Sequence, residues 1–136
     1  MTKAAAWHNF WSAFGIPAYE ENSVPDGEDD PGFPRLTYQF GTDSFSDYSM
    51  SLTVSIWYRD PSWVSINAKA EEIGAMIGRE YGDSVPCDGG YFRVKRGSPW
   101  ALRMGGEGSG LTTVNLNDDY IRRIVFNVEV AWYTFS

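Results

Sequence analysis

The chain has 136 residues, enough for one domain with a real core, and an aromatic content of 16% argues against disorder. A formal net charge of −7 disfavours phosphate-backbone binding as the main activity, because that requires a basic patch. The single cysteine, Cys87, excludes an internal disulfide, and with only one histidine, His8, it argues against a structural zinc site.

Residues 3–14 read as a helix. Ala4–Ala6 favour it, Trp7, Phe10, Trp11 and Phe14 recur at helical spacing, and Gly15 with Pro17 ends it. Four aromatics on one face predict docking on a sheet, with a subunit contact as the alternative. His8 lies at the edge of that face and reads as a packing or surface residue. Residues 20–34 form a polar loop rich in Glu and Asp. Asp26, Glu28 and Asp30 alternate, but the central glycine and terminal glutamate of a calcium loop are absent. The expectation is an exposed charge run, long for a compact domain.

Leu36–Phe40 reads as a short strand, and Gly41–Asp47 as a turn that makes an antiparallel hairpin with the next strand. In that central strand Tyr48, Met50, Leu52, Val54, Ile56 and Tyr58 alternate with Ser, Thr and Trp57, so one face packs on a core. Asp60-Pro61 stops it and is read as the cap and first turn of a helix running towards Tyr81. Trp63, Ile66, Ala70, Ile73 and Ile77 form the apolar stripe of that helix.

Gly82-Asp83-Ser84 reads as a break. Tyr91–Arg96 is a strand, polar on much of one face and suited to an edge or an interface, which ends at Gly97-Ser98-Pro99. Trp100–Met104 is a further short strand, and Gly105–Gly110 a flexible hairpin tip without the lysine of a phosphate loop. Tyr120–Phe135 is read as the longest strand, with Ile124, Phe126, Val128, Val130 and Trp132 on its buried face. The predicted class is α+β, a single domain over 1–136. It has a mostly antiparallel sheet on which an N-terminal helix and one long amphipathic helix pack.

Chemistry is sparse. No nucleophile–base–carboxylate set can be built without His8, whose sequence neighbours offer no orienting carboxylate. Cys87 precedes Asp88, which would raise its pKa, and Asp118-Asp119 read as turn residues. The chain is therefore read as non-enzymatic, with no catalytic residue, metal or cofactor. No apolar run approaches the roughly 20 residues of a membrane span, and the first ten residues lack the features of a signal peptide, so a soluble intracellular protein is expected.

Four local patterns and the order of segments resemble the tail terminator proteins of long-tailed bacteriophages. They are the aromatic helix ending Ala13-Phe14-Gly15-Ile16-Pro17-Ala18-Tyr19, the strand Pro34–Phe40, and Val54-Ser55-Ile56-Trp57 leading to Trp63 and a helix. The fourth is Gly89–Val94 with Arg96-Gly97-Ser98-Pro99-Trp100, closed by a strand ending Trp132-Tyr133-Thr134-Phe135. The resemblance implies a structural ring of usually six subunits, assembled in the host cytoplasm and built into the virion neck. The ring caps the tail tube, stops addition of tube protein and offers a surface to the head–tail connector. DNA passes through its lumen without specific binding.

A closed ring needs heterologous contacts. Arg93, Lys95 and Arg96 against Glu28, Asp29 and Asp30 are a candidate pair, and the acidic loop is alternatively a lumen element that repels phosphates. Two other readings are another head–tail neck or completion protein, and a small-molecule-binding α+β domain with an aromatic-lined pocket.

Overall fold

The computed structural model describes residues 1–25, 27–30, 32–40, 50–77, 83–105 and 120–134. Two helices, α1 (Lys3–Ser12) and α2 (Val64–Ile77), accompany six strands. These are β1 (Ala18–Glu20), β2 (Arg35–Tyr38), β3 (Met50–Arg59), β4 (Asp83–Cys87), β5 (Gly90–Gly105) and β6 (Ile121–Thr134). They form one sheet in the order β1-β2-β3-β6-β5-β4. The turn at Gly41–Asp47, the glycine run after Gly105, Asp118-Asp119, and the predicted extensions of the central strand to Tyr48 and of the helix to Tyr81 lie outside the described residues.

The predicted fold class needs correction. The protein is mostly sheet, a curled six-stranded half-barrel of mixed pairing, rather than a mostly antiparallel sheet under one long amphipathic helix. β1 pairs with β2 in parallel, Ala18 opposite Leu36 and Glu20 opposite Tyr38. Parallel neighbours cannot be joined by a tight turn; they need a crossover of about a dozen residues or more. The acidic segment between Glu20 and Arg35 supplies that crossover, which accounts for its length. α2 also starts later than expected. Asp60 accepts from the Ser62 N–H at 2.8 Å, shaping a turn ahead of the helix, and Trp63 precedes the first helical residue.

Three further differences come from β4 and β5. The supposed break at Asp83-Ser84 opens β4, an edge strand in which Pro86 is tolerated. The supposed end at Gly97-Ser98-Pro99 is a bulge between Arg96 and Ala101 inside one strand, β5. Among the described residues β5 spans 16 and β6, expected to be the longest strand, spans 14. The bulge is held where the Asn127 Nδ2 donates to the Pro99 carbonyl at 2.8 Å. Gly97 allows the close approach, since a Cβ there would stand 2.8 Å from the Asn127 carbonyl oxygen. Gly90 is equally constrained, because a Cβ would collide with the Tyr133 carbonyl and stand 2.9 Å from the Trp132 ring.

The core follows the alternation. Leu52, Val54 and Ile56 of β3 and Ile124, Phe126, Val128, Val130 and Trp132 of β6 are all buried on one face. Both helices pack on that face: α2 against β3, β5 and β6, and α1 against β1 and β4, the two outermost strands. A sheet whose two edges both touch one helix must curl around it. Trp7 and Trp11 of α1 are fully buried and meet edge to face at 5.5 Å, with Phe92 of β5 5.7 Å from Trp7. The aromatic helix is therefore a plug in its own domain. Lys69 of α2 donates to the Phe14 carbonyl at 2.7 Å and ties the helices together.

Candidate functional site

Among the described residues, the other face of the sheet carries no helix. Across β2, β3 and β6, Arg35, Trp57 and Arg123 stand in register, and one step along come Thr37, Ser55 and Val125. The Trp57 indole N–H donates to Thr37 Oγ1 at 2.9 Å, and Arg123 lies over the Trp57 ring at 4.5 Å while donating to Ser55 Oγ. Burial lowers the pKa of the Arg123 guanidinium, and nearby Glu21 opposes the shift. The row binds strands to one another and knits the crossover onto them; it has no reactive geometry.

The sequence-predicted residues divide between two regions. Glu28 and Asp29 are exposed, in a 3-10 turn over Gly27–Asp29. Asp30 is internally engaged: it accepts from Arg35 Nη1 at 3.0 Å and from the Gly32 N–H at 2.7 Å. On β5, Arg93 and Lys95 point to the helix-free face, Lys95 directly opposite Glu129 of β6. Arg96 points to the other face, where Nη2 donates to the Gly74 carbonyl of α2 and the guanidinium covers Trp100 at 5.3 Å. The six residues are therefore not brought together, and the three basic ones do not form a single patch.

A groove of about 450 Å³ lies between α2 and the bulged half of β5, lined by Asn67, Ala70, Glu71, Arg96, Trp100, Ala101, Arg103 and Phe126. Beside it Trp63 carries two guanidiniums, Arg103 at 5.0 Å and Arg122 at 5.3 Å from its ring centroid. This cationic, aromatic groove was missed in the sequence. The bulge shifts the alternation, so Arg96 and Arg103 share a face although one number is even and the other odd.

A second, open cleft of about 750 Å³ is lined by His8, Ser12, Tyr38, Glu20 and residues 15–19. His8 Nδ1 is 3.0 Å from the Tyr38 hydroxyl, and Nε2 is 3.3 Å from Ser12 Oγ. This resembles a relay, but Ser12 Oγ donates to the His8 carbonyl at 2.8 Å. The serine proton being spent there, the imidazole is satisfied by donating from Nε2 and accepting from Tyr38 at Nδ1, and Ser12 is not placed as a nucleophile activated by the ring. Tyr38 has its pKa raised by burial first and by Glu20 second.

Cys87 is half-buried, and its pKa is raised chiefly by burial, with Asp88 adding and Lys3 opposing. Asp88, the cause expected from the sequence, raises it too but less than burial does. Among the described residues no group of three or more His, Cys, Asp or Glu is placed to hold a metal ion, and no helix is long and apolar enough to cross a membrane. Comparison with protein-family models, with curated proteins and with solved structures finds no match for the chain.

Proposed function

We propose that the chain is a ring-forming structural subunit of the tail-terminator kind, working at the end of a phage tail tube and against a head–tail connector. The observation that carries this reading is the separation of opposite charges on one sheet. Glu28 and Asp29 are exposed in the crossover beside β2, whereas Arg96 and Arg103 are exposed on the helical face of β5, with β3 and β6 between. Two unlike, non-overlapping patches suit a head-to-tail contact, which closes into a ring when the rotation between copies divides a full turn. The local sequence patterns of the resemblance support the same reading, as does the poverty of reactive geometry in both clefts.

Native mass spectrometry over a range of concentrations tests it. The expected result is a discrete closed assembly, six copies being the count the resemblance implies. A protein that stays monomeric at every concentration would remove the preformed ring.

A further inference from the structure

We infer that the groove between α2 and the bulged half of β5 receives the acidic turn, Glu28 and Asp29, of a second copy of this chain. This rests on the ring reading and specifies its contact. Arg103 is exposed and Arg96 is only partly engaged, each lying over an indole ring. Stacking uses the flat face of a guanidinium and leaves its N–H groups directed outward in the plane, the geometry that grips a carboxylate with two hydrogen bonds. Trp63 and Trp100 fix both cations in advance, so little side-chain freedom is lost on binding. Glu71 is the one carboxylate among the groove-lining residues, against two arginines.

The occupant is chosen by complementarity. Asp30 is consumed by Arg35, so the turn is anchored to β2 while Glu28 and Asp29 project from it. Arg35 lies on the helix-free face and the groove on the helical one, so the turn of one copy meets the groove of the next rather than its own. Repetition of that contact is head-to-tail. Lys95, paired across the ladder with Glu129, is left outside it.

The test uses Arg103→Glu, the milder Arg103→Gln, the double change Glu28→Arg with Asp29→Arg, and Arg103→Glu combined with that double change. All are surface changes, checked for folding by circular dichroism and measured by native mass spectrometry with sedimentation. Each reversal is expected to weaken assembly about ten- to a hundredfold, Arg103→Gln less, and the combination to restore it. Wild-type assembly with no loss in any variant overturns this contact and leaves the ring standing. Loss in both reversals without rescue in the combination overturns the pairing. A monomeric wild type overturns contact and ring together.

Discussion

Tyr38 joins the core, the crossover and the cleft in one side chain. It is 6% exposed, its hydroxyl meets His8, and its pKa is raised above the ordinary value by burial. A phenol is neutral below about pH 10, and a folded value above the unfolded one means that the unfolded chain loses its proton first. The stability associated with this group is therefore complete below about pH 10 and is lost as pH rises through the higher folded value. Urea midpoints should hold to that point and then fall. In Tyr38→Phe the fall should be shallower, though not abolished, because Tyr58 is shifted the same way and for the same leading cause. An alkaline limb identical in the variant would mean that Tyr38 ionises as readily folded as unfolded. None of this could be read locally, since Tyr38 looks like any apolar position of a short strand until His8, 30 residues earlier, is placed beside it.

Among elements, the most specific expectation concerns α1. Trp7 is fully buried, and its indole N–H donates to the Gln39 carbonyl at 2.9 Å. Trp7→Ala removes a large core ring and a hydrogen bond, at a cost of about 3–5 kcal/mol. Against a typical total of about 5–15 kcal/mol that is a large fraction. The denaturant midpoint should drop steeply in the monomer itself, with the slope of the transition unchanged. If α1 were instead a subunit contact, the monomer would keep its stability and only assembly would suffer. The aromatic stripe of α1 (Trp7, Phe10 and Trp11) and the alternation of β3 and β6 were legible because all three elements are long enough to repeat their period. β1 was not, having three residues after a proline, nor was β4, whose Pro86 and leading Gly82-Asp83-Ser84 carry turn chemistry into an edge strand. The parallel β1–β2 pair was invisible for the same reason, and with it the true role of the acidic segment. The candidate groove failed to show because it depends on a change of strand parity at the bulge, which periodicity alone takes for two strands.

At the scale of the whole molecule, the proposed contact between copies of a chain of net charge −7 has to reconcile two electrostatic effects of opposite sign. Like-charged subunits repel over the distance between their centres, about 30 Å for domains whose radius of gyration is about 14 Å. The Arg–carboxylate contact acts at about 3–4 Å. At about 0.01 M salt the screening length is about 30 Å and repulsion reaches across the full separation, whereas at about 0.1 M it is about 10 Å and most of that repulsion is gone. The short-range pair survives this step, being closer than the screening length and partly shielded from solvent by Trp63 and Trp100. At about 1 M the length falls to about 3 Å and the pair itself is screened. Assembly followed by sedimentation should therefore be tightest near physiological salt and weaker on both sides. Arg103→Glu should lose the high-salt decline, because it has no attractive pair left to screen. Affinity that instead climbs steadily up to 1 M would point to an apolar contact, for which Leu102 on β5, Tyr133 on β6, and Val64 and Met76 on α2 are among the exposed large side chains. In that case charge would only oppose assembly, and the Arg–carboxylate groove would not be the seat of the interface.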